Sequence, residues 1–217
     1  MRDEVLEMFV EEFGEPTSPR RAKTDEAERY RGVLPDKLLE YWQDLGWSGF
    51  ADGLFWLVNP ADYDHLVSMW LEGMPFEALD TYRVIARTAF GELYLWGENT
   101  NRSFVISCPT HAIIAMENKV KTVAPDTDSA VETFFVMSRR KRYDLTDMSE
   151  KPLFAQALKK LGPLGPDEVY GFEPALVAGG EWSVNNLAKL NLDIHLTILR
   201  QMAPPEIPFS GVKVDID

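Results

Sequence analysis

The chain has 217 residues, of which 45% are hydrophobic and 26% are charged, a composition that is ordinary for a folded globular protein and argues against disorder. Its single cysteine, Cys108, excludes an internal disulfide and any zinc or iron–sulfur site built from several cysteines. The formal charge of −13 argues against a non-specific nucleic-acid binder and favours a basic partner. The alternative is that the negative charge only keeps the protein soluble.

The N-terminus is amphipathic and acidic, without the apolar core of a signal peptide. No window of the chain approaches the roughly 20 uninterrupted apolar residues of a membrane span. We therefore expect a cytoplasmic protein.

A first helix ends at Gly14 and Pro16. Its apolar face consists of Val5, Leu6, Phe9 and Phe13.

The run 34–60 predicts a helix, a turn and a strand. Pro35 suits the first turn of a helix over 36–45, and Gly46 suits its C-terminal cap. The apolar run 54–58, which Asn59 and Pro60 end, reads as a strand buried on both faces. The turn 47–53 between them is left free to contact a partner.

A third helix is predicted over 63–71, and the pattern then changes to the two-residue period of strands. Four closely spaced strands suggest an antiparallel meander. They are predicted at 83–86, 92–96, 103–107 and 112–116. Asp128 is expected to cap a helix that ends at Val136, followed by a basic run over 139–142 at the helix C-terminus.

The last part of the chain predicts helices and one long loop. Apolar spacing predicts a helix over 152–161, and a glycine- and proline-rich loop follows over 162–180. Two short helices are predicted over 184–190 and 194–202.

The expected fold class is α+β, with helices and a mainly antiparallel sheet in the N-terminal part and a smaller, mostly helical C-terminal part. The boundary between the two parts is expected within 125–150. The expected division is a domain over 1–125, a connecting helix and basic linker over 126–148, and a second domain over 149–217.

The sequence shows no catalytic constellation. His65, His111 and His195 are too scattered to predict a metal site, and the glycines match no nucleotide-binding motif. Cys108 and His111 in CPTH could form a thiolate–imidazole pair, but a buried cysteine beside a turn is the simpler interpretation. We therefore expect no cofactor, no metal and no catalytic residue.

Five stretches resemble known families. FVEEFGEP at 9–16, LPDKLLEYWQDLGWSGFADGLFWLVNP at 34–60 and IARTAFGELYLWGE at 85–98 closely resemble the GAD-like domain of bacterial proteins. LFAQALKKLGPLGPDEVYGFEPALVAGG at 153–180 and LAKLNLDIHLTILRQM at 187–202 resemble the domain that ends type VI secretion immunity proteins against DNase effectors. LPxxLLxYW with the later AFGELYLWG is also distantly similar to the SMI1/KNR4-like superfamily.

The resemblance implies a cytosolic, non-enzymatic antitoxin that binds and neutralises its cognate nuclease, and it transfers no catalytic residue. Two alternatives stay open. The GAD name derives from an insert in tRNA-charging enzymes and amidotransferases, so the basic run 139–142 could serve an RNA-binding module. Carboxylates of the loop 162–180 and of Glu181 could instead serve a hydrolase.

The sequence also suggests where a partner binds. Long loops often carry recognition, and Trp47 and Trp182 flank glycine turns where an exposed indole could anchor an interface. The predicted partner-binding residues are Asp167, Glu168, Glu173, Glu181, Trp182, Trp47 and Asp52.

Overall fold

A computed structural model describes residues 2–115, 120–124 and 126–209. The predicted positions Met116 and Pro125 and everything after 209 lie outside these residues. The helices are α1 (Glu4–Phe13), α2 (Thr24–Glu28), α3 (Asp36–Leu45), α4 (Asp64–Leu71), α5 (Thr127–Val136), α6 (Arg140–Tyr143), α7 (Phe154–Leu161) and α8 (Leu192–Met202). The strands are β1 (Gly49–Phe50), β2 (Phe55–Leu57), β3 (Tyr82–Thr88), β4 (Glu92–Gly97), β5 (Ser103–Ser107), β6 (Ala112–Ile114), β7 (Glu168–Phe172) and β8 (Leu187–Asn191).

Strands β1 to β6 form one antiparallel meander in chain order, and β7 and β8 form a separate two-stranded sheet. The predicted α+β class and the meander are confirmed. Gly91 connects β3 and β4 with a φ of +85°, a conformation that a residue with a side chain rarely adopts. Strand β2 is buried along its length, as its apolar run predicts.

Phe9 is the centre of the packing between the helices and the sheet. Its ring stacks on Phe13 at 4.6 Å and meets the edges of Phe50, Phe55 and Phe135 at 5.3, 5.8 and 5.1 Å. Since Phe135 lies on α5, the predicted connecting helix is packed into the N-terminal core. Such edge-to-face arrangements are favourable for aromatic rings.

The cap of α5 differs from the predicted one. Asp126 is the N-cap residue, and its carboxylate accepts the backbone N–H of Ser129 at 3.2 Å. Asp128 lies in the first turn, where its carboxylate instead accepts the backbone N–H of Lys37 at 3.1 Å. The predicted cap at Asp128 is therefore wrong by two residues.

Two strands occupy the positions where the sequence predicts a loop and a helix. Strand β7 lies within the predicted loop 162–180, and β8 replaces most of the helix predicted over 184–190. The backbone N–H of Tyr170 on β7 also donates to Ala89 of the large sheet at 2.9 Å. Helix α8 begins only after Asn191, whose side chain caps it by accepting from Ile194 at 3.1 Å. These long-range pairings override the local pattern.

The C-terminal segment packs directly on the large sheet, and we call this contact the seam. A single cluster of buried apolar side chains extends from Leu6 to Leu199. Leu196 on α8 lies so close to Gly91 that a Cβ added to this glycine would be 2.9 Å from the leucine Cδ2. Hydrogen bonds across the seam also join Arg87 to Pro166, His111 to Leu199, and Arg200 to Met69.

The Leu196→Ala substitution tests whether the seam makes the two segments one folding unit. Leu196 is fully buried, so we expect a loss of about 2–5 kcal/mol in unfolding free energy, with a single cooperative transition. Urea unfolding followed by tryptophan fluorescence and by far-UV circular dichroism measures both. Ile194→Ala on the exposed face of the same helix is the control and should change little. Two separate transitions would contradict a shared core.

Glu92 at the start of β4 carries an energetic cost at neutral pH. Burial raises the pKa of its carboxyl to about 7, against the opposing effects of the Ser107 hydroxyl and the Arg142 charge. The unfolded chain ionises this group at an ordinary pKa near 4.5. Ionisation in the folded state therefore lowers stability progressively as the pH rises from about 4.5 to 7, and the cost is complete above pH 7.

We expect Glu92→Gln to stabilise the protein at pH 8 and to have almost no effect near pH 4.5. The full shift corresponds to about 3 kcal/mol, and the partial solvent contact of the side chain reduces the expected gain to about 1–2 kcal/mol. Thermal denaturation of both proteins at the two pH values measures the difference. An equal effect at both would contradict a buried, titrating carboxyl.

Candidate functional site

A narrow cleft of about 150 Å³ opens at the seam. We call it the seam cleft. Three of its lining residues are aromatic, namely Trp47, Trp56 and Tyr63. Three others are acidic, namely Asp62, Asp167 and Asp193, and the lining also includes Arg20 and Asn191.

Local structure fixes the walls of the seam cleft. The indole N–H of Trp56 donates to the Gly53 carbonyl at 2.8 Å, and the ring lies against Gly49, where a Cβ would be 2.9 Å from it. A short 3-10 turn over Pro60–Asp62 places Asp62 and Tyr63 at one side. The opposite side is formed by the residues before β7 and at the start of α8.

Arg87 lies beside this cleft and is completely buried. Its guanidinium is 4.6 Å from the centre of the Trp56 ring and donates to the carbonyls of Thr88 at 3.2 Å and Pro166 at 2.8 Å. Burial lowers the pKa of Arg87, and the nearby Tyr63 and Asp167 side chains oppose this effect. The guanidinium thus holds the C-terminal segment next to the sheet at the position that precedes Asp167.

The three acids of the seam cleft differ in their partners. Asp62 pairs with Arg20 at 3.2 Å, and Asp193 contacts the His65 ring. The carboxylate of Asp167 has no hydrogen-bond donor among the described residues. Asp167 therefore places on the cleft lining a carboxylate that accepts no hydrogen bond there, while its charge interacts with the buried Arg87.

Trp47 is not the exposed anchor that the sequence predicts. Its side chain is only 2% exposed, and its ring meets the edge of Trp42 at 5.8 Å. The guanidinium of Arg20 lies 6.0 Å from the centre of the Trp47 ring, while the backbone N–H of Trp47 donates to the Arg20 carbonyl at 2.9 Å. The preceding segment thus covers the turn 47–53, and only Asp52 of that turn is exposed.

A second, shallower hollow lies on the C-terminal segment, and we call it the loop hollow. It is lined by residues 147–149 and 180–183. Met148 is 80% exposed, and its backbone N–H donates to the Trp182 carbonyl at 3.2 Å. Trp182 is half-buried, with its ring edge-on to Phe172 at 5.4 Å. The hollow therefore presents an exposed methionine beside an indole, with Asp147 and Glu181 on its lining.

The structure distributes the predicted acids over separate places. Asp167 lines the seam cleft, and Glu181 lines the loop hollow. Glu173 is exposed just after β7. Glu168 is held by the structure itself, since its carboxylate accepts the Gly165 N–H at 2.7 Å and lies 3.6 Å from the Lys189 ammonium. The set does not converge on one paired-carboxylate site.

Sequence reasoning missed several residues of these two surfaces. Met148 stands alone in a polar stretch and carries no periodic signal. Asp62 and Asp193 belong to no motif of the sequence. A local signal existed for Asp193 alone, because an acid in the first turn of a helix suits the helix dipole.

Cys108, His111 and His195 occupy buried or half-buried positions. Cys108 is buried, and burial raises the pKa of its thiol well above the usual value. A ring nitrogen of His111 bonds to the Leu199 carbonyl at 2.6 Å, and burial lowers the pKa of His195 to about 4. Within the described ranges, no group of three or more histidine, cysteine, aspartate or glutamate side chains could hold a metal ion.

The basic run 139–142 is partly occupied by internal contacts. Arg139 donates to the carbonyls of Val136 and Ser138 at 2.5 and 2.6 Å, which places its charge at the C-terminal end of α5. Arg140 donates to the backbone carbonyl of Glu12 at 2.5 Å.

Among the residues that the structure covers, no helix has both the length and the apolar character that crossing a bilayer requires.

Comparison with solved structures shows a similar fold in a bacterial protein. The crystal structure of Atu4351 from Agrobacterium tumefaciens matches with a TM-score of 0.77 and 22% sequence identity, covering 90% of this chain and 88% of that chain. At this identity the likeness establishes a shared fold. A comparison with curated proteins gave no match.

Family models match two regions of the chain. Residues 4–110 match the GAD-like domain, and residues 128–203 match the C-terminal domain described as that of the T6SS immunity protein Tdi1. The second match begins within α5 and includes both sides of the loop hollow. The chain therefore contains a region that matches the GAD-like domain, followed by a region that matches the C-terminal domain of the type VI secretion immunity protein Tdi1.

Proposed function

We propose that this protein is an immunity protein that binds and neutralises a type VI secretion effector, and that the effector is a DNase. The match of residues 128–203 to the Tdi1 C-terminal domain carries this proposal. The protein would act in the cytoplasm as a stoichiometric binder and not as an enzyme. The shared core across the seam supports a binder in which both segments act as one unit.

The charge of the chain suits such a partner. A DNase presents a basic surface to DNA, so a protein of formal charge −13 is attracted to it, with association rates up to about 10⁸–10⁹ M⁻¹s⁻¹ at low salt. At physiological ionic strength the Debye length is about 8 Å, so this attraction acts only close to contact. A long-lived complex therefore also needs side chains that become buried at the interface.

The loop hollow offers such side chains. Interface anchors are commonly aromatic residues or methionines surrounded by polar groups, and here Met148 and Trp182 lie beside Asp147 and Glu181. Glu173 is exposed. Its backbone N–H donates to the carbonyl of Asn186 at 2.8 Å, which places it close in the chain fold to the residues that follow the loop hollow. We propose that the hollow and these acids contact the effector, together with Asp52 and Asp167.

Expression of the chain should protect cells against the effector encoded beside its gene. We expect cells that express the effector alone to lose viability and chromosomal DNA integrity, and cells that express both proteins to retain both. Plating efficiency and gel analysis of chromosomal DNA measure these outcomes. If the effector kills cells without damaging their DNA and the chain prevents this killing, the immunity role stands and the DNase assignment is wrong.

Charge reversal at the loop surface should weaken capture of that effector. The double variant Glu173→Lys and Glu181→Lys should lower affinity by at least about tenfold, mainly through slower association at low salt. Surface plasmon resonance at two salt concentrations measures both rates.

The control carries the same change in net charge elsewhere. Glu7 and Glu11 are exposed on α1, and the double variant Glu7→Lys and Glu11→Lys should retain most of the affinity. Equal losses in the two variants would mean that overall charge, and not the loop surface, attracts the effector.

A further inference from the structure

We propose that the seam cleft is a receptor for a single arginine side chain of the partner. The inference rests on the proposed function for the identity of the partner, but the chemistry of the cleft is independent of it. The cleft combines aromatic faces with carboxylates, and this combination recognises a planar cation.

The walls of the cleft already hold guanidinium groups from the chain itself. Arg87 lies over Trp56 from the side of the core, and Arg20 lies over Trp47 while its guanidinium pairs with Asp62. Both arrangements place a guanidinium on an indole face next to an oxygen acceptor. An incoming arginine would find the same kind of environment beside Asp167.

One carboxylate of the cleft lacks a hydrogen-bond donor that an inserted arginine would supply. The Asp167 carboxylate has no donor among the described residues, and a guanidinium can donate two parallel hydrogen bonds to it. Trp47 also lines the cleft and is 98% buried, and its indole N–H has no acceptor within the described part of the chain. Because that nitrogen is itself buried, the indole reports on a ligand in the cleft and does not bond to it.

The size of the cleft selects the end of one side chain. A volume of about 150 Å³ is comparable to a cavity that holds a benzene ring, so it admits a planar guanidinium and not a helix or a strand. Lysine fits less well, since its ammonium is strongly hydrated and cannot pair with a carboxylate through two parallel bonds. The predicted occupant is therefore an arginine on a projecting loop.

A titration with small probes tests the receptor without the effector. N-acetyl-arginine amide is added to the full chain, and the indole N–H signals are followed in ¹H–¹⁵N spectra, with the Trp47 signal identified by Trp47→Phe. We expect a saturable shift of the Trp47 signal and no shift of the Trp182 signal, which belongs to the loop hollow. N-acetyl-citrulline amide, a neutral analogue of the same shape, should produce no saturable shift.

The double variant Asp167→Asn and Asp193→Asn should weaken arginine-amide binding by at least about tenfold. The matched double variant Glu7→Gln and Glu11→Gln removes two exposed charges from α1 and should bind normally. Unchanged spectra elsewhere show that each variant is folded. Equal binding of citrulline amide, equal binding by the Asp167/Asp193 variant, or no saturable shift would overturn the proposal. Equal binding of N-acetyl-lysine amide would overturn the arginine assignment.

The two proposals can fail separately. Arginine-amide binding without effector neutralisation would retain the receptor and reject the immunity function. Neutralisation by a chain whose cleft does not bind the arginine amide would retain the immunity function and reject the receptor.

Discussion

The buried guanidinium of Arg87 is the interaction on which the seam depends. It packs on Trp56 of the large sheet and donates to the Pro166 carbonyl of the C-terminal segment, so one cation joins the two family-defined parts. Burying a cation is costly unless its hydrogen bonds are made. Here an indole face and two carbonyls offset part of that cost, while the buried Nε of Arg87 has no acceptor among the described residues. The same contact places Asp167 at the edge of the seam cleft.

Much of the N-terminal fold could be predicted because its signals are local. Helix α3 agrees with the run between Pro35 and Gly46, and strands β3 to β5 agree with the two-residue period and its turns. Strands β7 and β8 could not be predicted in this way. Tyr170 on β7 pairs with Ala89, some 80 residues earlier in the chain, and no local pattern encodes such a partner.

The candidate site was predictable in its acidity and not in its arrangement. Composition indicated a basic partner, and the long loop indicated where exposed acids lie. Trp47 misled the prediction because the glycines beside it suggest an exposed turn, whereas the backbone around Arg20 covers that turn. Glu168 misled it because its neighbours Gly165 and Lys189 bind its carboxylate only once β7 and β8 pair.

We propose that the effector contacts both the seam cleft and the loop hollow. Hydrogen exchange of the chain, alone and in complex with the effector that co-purifies with it, tests this claim most directly, because amide protection reports local burial along the whole backbone. We expect new protection in two groups of peptides, those covering 164–169 with 191–195 and those covering 147–149 with 180–183. New protection confined to α1 and α2, with both groups unchanged, would contradict it.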